Sequence, residues 1–172
     1  VYAMICIGLI YPILAASSKT NGFNPPEGWT LDGAAYYRNQ AADDYAALQW
    51  LQTAPFGVIA EAVGGSYSAF GRAATFSGLP NVLGWPGHES QWRGGAEEMG
   101  SREVEIERLY KTNSWEEAKS IIEKYKIRYI VVGGLERTKY NARDTLFKRY
   151  LTPVFEQGTT TIYETPITGV SQ

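Results

Sequence analysis

The first sixteen residues, Val1 to Ala16 (VYAMICIGLIYPILAA), carry no charge, while every Lys, Arg, Asp and Glu of the chain lies beyond them. A block of this kind belongs to a different solvent from the rest. As a helix it spans about 24 Å at about 1.5 Å per residue, short of the roughly 30 Å of a bilayer core. The chain opens with Val rather than Met, so the expectation is the end of a transmembrane helix, residues 1–16, in a piece of a longer protein. Two other readings stay open: a signal-peptide core running into Ala15, Ala16, Ser17 and Ser18, though without a basic region before it, and an apolar helix buried in a soluble domain. Lys19 is the only nearby charge, so charge asymmetry sets no orientation.

Residues 17–29 (SSKTNGFNPPEGW) are rich in Ser, Asn, Gly and Pro and read as a linker. A soluble domain is expected over residues 30–166, with a short tail at 167–172. Of the 172 residues 44% are hydrophobic, enough to build a core and too many for wholesale disorder. A net charge of -2 argues against a nucleic-acid partner, which usually demands a basic excess. One cysteine and one histidine exclude a disulfide scaffold and a zinc module. The residues imply no cofactor and no metal.

Within the domain, Asp43 and Asp44 ahead of Tyr45, Leu48 and Leu51 predict a helix over 43–53 that Pro55 stops. Residues 56–62 (FGVIAEA) read as a strand entering the Gly64-Gly65 turn. Ser114 and Glu117 form a capping box for a helix whose core face is Trp115, Ala118, Ile121, Ile122 and Tyr125. Ile127 to Val132 (IRYIVV) predicts a buried strand closing on Gly133-Gly134. A basic helix over about 140–151 is expected to end at Pro153, and residues 154–156 and 159–164 to pair as a hairpin. The expected class is α/β: a layered soluble domain with a partly parallel sheet and a C-terminal antiparallel hairpin, preceded by the end of a transmembrane helix. Residues 124–149 hold eight basic side chains against Glu136 and Asp144. They read either as solvated faces balanced by the acidic stretch 97–117 or as a stripe facing anionic headgroups.

Residues 64–95 stand apart. The segment is rich in glycine, carries Tyr67, Arg72, Trp85, His88, Glu89, Gln91, Trp92 and Arg93, and fits no long periodic element. A loop of this length inside a compact domain is functional or disordered, and its aromatic content argues for function. Glycines admit close approach of a ligand to the backbone, aromatic faces suit sugars or acyl chains, and Arg grips phosphate or carboxylate. These eight residues are the candidate substrate-binding set, with Glu61, Glu136 and Arg137 secondary. Each has a plainer reading: a structural His88, since neighbours His88 and Glu89 on an extended segment point apart; Trp85 and Trp92 as core or lid; Arg72 and Arg93 bridged internally to Glu61, Glu89 or Glu98. The Gly64-Gly65-Ser66 turn lacks the spacing of a nucleotide-binding loop. No catalytic residue is assigned.

The runs LDG-x-x-Y (residues 31–36), D-x-x-A-L-x-W-L (44–51), EAVGGSYSAFGRAATFSGLPNVLGWPGHESQWRG (61–94) and YIVVGGLERTKY (129–140) together resemble the YYY family of large multi-pass membrane proteins. That family is similar to the C-type membrane glycosyltransferases, whose sugar donor is a polyprenyl phosphate. The likeness carries over to Gly84, Trp85, Gly87, His88, Glu89, Gln91, Trp92 and Arg93, with Tyr67, Gly71 and Arg72 upstream and Glu136 and Arg137 later. It implies a C-terminal, extracytoplasmic region at the cell membrane, held to the lipid bilayer by its first helix. It further implies a non-catalytic region that helps bind a glycan or polyprenyl-phosphate substrate while the chemistry resides elsewhere in the parent. The rivals are a structural or interaction module packing on membrane-protein partners, and a self-contained hydrolase using His88 with Glu89 or Glu61.

Overall fold

The structure, a computed structural model, describes residues 2–26 and 28–166; the expected tail at 167–172 lies outside them, as do Val1 and Glu27. The described residues fall into two compact units, one running to Ala42 and the other starting at Asp43.

The first unit begins with α1 (Tyr2–Lys19), which continues through Pro12 and buries none of its residues. The helix runs three residues past the uncharged block, to its first cation, and is long and apolar enough to cross a membrane. Within its own unit the helix forms no part of a buried core. A short α2 (Ala35–Gln40) follows, unforeseen because its six residues show no apolar period. Asp32 holds its approach by accepting from the Ala34 amide at 2.9 Å and pairing with Arg38.

The second unit places runs of helices between the strands of one sheet. After α3 (Ala42–Thr53) come β1 (Val58–Ala60), α4 (Arg72–Ser77), α5 (Pro86–Arg93), α6 (Arg102–Lys111), α7 (Trp115–Tyr125) and β2 (Ile127–Val132). The chain closes with α8 (Gly134–Tyr140), α9 (Thr145–Tyr150), β3 (Thr152–Gln157) and β4 (Thr160–Glu164). The strand order is β1-β2-β4-β3. β1 runs parallel to β2, with Ile59 opposite Tyr129, while β2 and β4 are antiparallel, with Val132 opposite Thr161, and β3 returns antiparallel to β4. This is the expected α/β class, with a partly parallel sheet and a C-terminal hairpin.

The core lies between the sheet and the α6–α7 pair. Ile106, Leu109 and Tyr110 of α6 and Ala118, Ile121 and Ile122 of α7 meet Ile127, Ile130, Val132, Phe147 and Tyr163. Positions 118, 121 and 122 share one face of α7 because helical side chains repeat every 3.6 residues. Truncating a side chain such as the fully buried Leu109 to Ala costs about 2–5 kcal/mol at sites of this kind. Tyr110 places its hydroxyl 2.9 Å from the Ala60 carbonyl and 2.7 Å from that of Val131. Its one proton thus serves both β1 and β2, and burial pushes the phenol well up from its ordinary range, so the donor persists.

Several local expectations give way to tertiary demands. The strand expected over 56–62 shrinks to three residues because the amides that follow it turn to side chains: Ala62 donates to Glu136 and Val63 to the Tyr140 hydroxyl. The helix expected over 140–151 forms only over α9, five residues later than expected; residue 140 instead ends α8, a helix the sequence did not predict, and Asn141 caps it at a left-handed φ of 53°. Pro153 accordingly stops no helix and sits in β3. Half of the expected capping box forms: Ser114 Oγ accepts from the Glu117 amide at 3.3 Å, but the Glu117 carboxylate accepts from Thr112 Oγ1. Of the basic excess, Lys124 pairs with Glu105, Arg128 with Glu164, and Arg137 and Lys148 share Asp144.

Candidate functional site

The glycine-rich segment leaves the sheet at the C-terminal end of β1, beside the C-terminal end of its parallel neighbour β2, the edge at which α/β sheets commonly hold ligands. It is less irregular than its composition suggests. Pro86 opens α5 at a position where its missing amide costs nothing, and Gly94 closes the helix in a left-handed conformation, φ 74°. Gly71 and Gly78 bracket α4 in the same way, at φ 78° and 75°.

Arg72, the first residue of α4, points inward, its side chain only 2% exposed. Its Nη1 and Nη2 donate as a fork to the two oxygens of Glu136, at 3.1 and 3.0 Å, and its Nε donates to Asp44 at 2.7 Å. Glu61 approaches the same guanidinium at 3.7 Å. The carboxylates are anchored in turn. Glu136 accepts from the Ala62 and Gly133 amides, at 2.8 and 2.9 Å, tying together the exits of β1 and β2. Glu61 accepts from the Ala73 and Ala74 amides at the start of α4 and from Asn81 Nδ2. Asp44 takes the Thr160 hydroxyl at 2.7 Å.

Three carboxylates around one cation make an unequal bargain, and the two glutamates part ways. Burial pushes the Glu61 carboxyl up from its ordinary value, and neither the more distant Arg72 charge nor its three hydrogen bonds reverse this. Burial pushes Glu136 up as well, but the Arg72 charge and fork outweigh it and leave the carboxyl below its ordinary value. Burial works against the Arg72 charge too, yet Glu136 foremost, then Asp44 and Glu61, hold its pKa well above the ordinary one. Among the described residues no buried side-chain nitrogen or oxygen lacks a hydrogen-bond partner.

The same segment turns its aromatic residues the other way. Tyr67 is 84% exposed and sits at a left-handed φ of 58°, a conformation a bulky side chain rarely takes. Its ring meets His88 edge-on at 4.6 Å and Trp85 at 5.7 Å, and Trp85 meets His88 at 5.3 Å. Half-buried Trp85 is pinned by its indole N–H to the Phe70 carbonyl. Trp92, on α5, is 82% exposed, and Gln91 beside it is also exposed. Glu89 accepts from the Gly84 amide at 3.3 Å and pairs with Arg93, which reaches Glu98 at 2.6 Å.

His88 and Glu89 therefore lie on a helix rather than on the extended segment expected, and Glu89 faces Gly84 and Arg93. Tyr67, Trp85 and His88 are brought together at the surface; Arg72, Glu61 and Glu136 are brought together in the interior. Arg137 stands apart from both groups, donating to the Thr159 carbonyl and pairing with Asp144. Sequence reasoning did not single out Asp44, Asn81 or Tyr140, which complete the inner cluster. In the sequence Asp44 is a helix-start acid within a family-like run, and its role in the cluster depends on Arg72, 28 residues away. The described residues contain no group of three or more His, Cys, Asp or Glu arranged to hold a metal ion.

No family model and no curated protein matches the chain. Among solved structures it is similar to the C-terminal globular domain of an oligosaccharyltransferase from Archaeoglobus fulgidus, at 15% identity over 74% of this chain and 99% of that one, with a TM-score of 0.49.

Proposed function

We propose that this chain is a non-catalytic, extracytoplasmic domain of a membrane-embedded glycosyltransferase-like protein of the YYY kind. In this reading α1 is the anchor in the cell membrane, residues 17–29 the connector and residues 30–166 the domain. The exposed face of the glycine-rich segment contacts a glycan or a polyprenyl-phosphate sugar. One observation carries the reading: a strained, exposed Tyr67 is packed against His88 and Trp85 on a segment whose root is clamped by Arg72. Left-handed backbone at a bulky residue costs about 1–3 kcal/mol and persists where the surroundings over-determine it, commonly at ligand sites. Flat rings edged by polar groups suit a sugar, which offers apolar C–H faces and hydroxyls together. Tyr67, His88, Gln91 and Trp92 are the contact residues in this reading, while Arg72, Glu61 and Glu136 position them.

Sugar transfer by the parent protein, with Tyr67→Ala and Trp92→Ala combined, is the test. Loss of about 1 kcal/mol of contact predicts about a fivefold fall in transfer at limiting substrate, with folding intact. Unchanged transfer by the folded variant defeats the contact role.

A second reading, a structural or interaction module, draws on the ion pairs that engage Arg72 and Arg93 within the domain. It predicts that the double variant transfers sugar normally but loses association with its membrane partners.

A further inference from the structure

Immediately after α1 the chain forms a mostly apolar cavity of about 510 Å³ lined by Thr20, Phe23, Trp29, Leu31 and Tyr36 among others. All of these residues lie in the first compact unit, with α1 itself. Phe23, Trp29, Leu31 and Tyr36 are exposed, Trp29 to 80%. Such a concentration of apolar surface in a short turn is unfavourable in water and favourable where water gives way to lipid.

Hydrogen bonds fix the turn to the end of the helix. The Thr20 amide donates to Ala16, the Gly22 amide to Ser17, and the Phe23 amide to Thr20 Oγ1. The cavity wall thus begins one residue beyond Lys19, the last residue of α1. A helix of 18 residues is about 27 Å long, close to the roughly 30 Å bilayer core, with a headgroup layer of roughly 5–7 Å on each side. With α1 across the core, Lys19 stands at its boundary and the cavity stands in the headgroup layer. Asp32, the acid in the cavity wall, is paired with Arg38, which lowers the cost of bringing it toward lipid.

We propose that residues 20–26 and 28–36 are an interfacial foot rather than a passive linker. Phe23, Trp29, Leu31 and Tyr36 lie in the headgroup layer, and the upper acyl segment of a phospholipid fills the cavity. Trp29 and Tyr36 have the chemistry of the aromatic belts at membrane surfaces, apolar bodies with N–H or O–H tips, and Phe23 and Leu31 add apolar surface between them. The foot rests on the membrane reading of α1, and the two are separable by experiment because Cys6, the chain's one cysteine, is exposed on α1.

The whole chain is reconstituted in phosphatidylcholine vesicles with a nitroxide at one of three sites: Cys6; Leu31→Cys in a Cys6→Ser background; and Ser120→Cys in that background, an exposed position on α7. Collision with oxygen against collision with a water-soluble nickel complex reports depth. The expected oxygen-to-nickel ratio is highest at Cys6, and at position 31 several-fold above that at position 120. In parallel, lipids brominated near the headgroup should quench the wild-type fluorescence more than that of Trp29→Phe. A lipid-like Cys6 with a position 31 indistinguishable from position 120 overturns the foot and leaves the anchor standing. A water-like Cys6 overturns both. Spin–spin broadening between labels at position 31 of different chains would mean that a second copy covers the face, and overturns it as well.

Discussion

Arg72 and Tyr67 lie five residues apart in one glycine-rich segment, and both look like ligand contacts in the sequence. Their fates are opposite. Arg72 is buried among Asp44, Glu61 and Glu136, whereas Tyr67 is exposed against His88 and Trp85. A guanidinium is a poor guide to a binding site when the fold already holds enough carboxylates to absorb it. An aromatic ring left exposed on a left-handed backbone is the better candidate, because its packing on His88 and Trp85 leaves most of the ring open to solvent. The inner group acts as the root and the outer group as the face, and this division can be attacked from both sides.

The largest effect is expected at the root. Arg72→Met leaves Asp44, Glu61 and Glu136 without their shared cation, and loss of one partner from a buried network costs about 3–5 kcal/mol. Thermal unfolding should show either a large fall in Tm or no cooperative transition; a Tm within a few degrees of wild type would dissolve the distinction. The next is steric. A Cβ at Gly133 would stand 2.6 Å from Asp44 Oδ1 and 3.1 Å from Arg72 Nη2, whereas one at Gly134 meets open space. Gly133→Ala should therefore lose about 1–3 kcal/mol in urea unfolding and Gly134→Ala within about 0.5 kcal/mol.

A pH series sharpens the account of the root. Glu136, depressed in the fold, contributes stability at neutral pH that is lost as the pH falls through its folded value, below the ordinary glutamate range of about 4.3. Glu61, raised in the fold, contributes in the opposite sense. Its stabilisation is complete below that range and is lost as the pH rises through its elevated value. Glu61→Gln cannot titrate, so its stability relative to wild type should climb as the pH rises above about 4.3 and then level off. A constant difference across the series would remove Glu61 as a titrating member.

The smallest effects on stability belong to the face. Trp92→Ala should change stability by no more than about 0.5 kcal/mol. Tyr67→Gly should be neutral or stabilising by up to about 1 kcal/mol, since glycine relieves the left-handed strain. Both should nonetheless weaken glycan binding, read by titration of the reconstituted parent. A large loss of stability from either would make the face part of the core.

Legibility followed the range of the interactions. α7 and β2 were readable because their information is local: a Ser114 cap, apolar residues at 118, 121 and 122, and a β-branched run at 127–132. The helix α5 was not, because PGHESQWR has no apolar stripe; Pro86, Gly94 and the packing of Trp85 hold it instead. The helix α8 was hidden for a related reason. Glu136 is committed to Arg72, 64 residues away, and to the amides of Ala62 and Gly133, which fixes where α8 must begin. The double glycines were visible as turns, but only the structure shows that in each pair the first is the sterically required one. A side chain at Gly64 would strike Phe70 and one at Gly133 the Asp44–Arg72 pair, while Gly65 and Gly134 face open space.

From residue order alone came the apolar helix at the start, the alternation of helices and strands, the closing hairpin and the position of the unusual segment. These follow from periodicity, charge and the backbone habits of Pro and Gly, which act within a few residues. Which charges would be interior was decided by contacts such as those of Arg72 with Asp44 and Glu136, 28 and 64 positions away, and which aromatics would gather at the surface by contacts of Tyr67 with Trp85 and His88. Such contacts leave no local trace, because a carboxylate at position 44, 61 or 136 has the same chemistry whether it meets water or a buried guanidinium, and only the folded chain chooses between them.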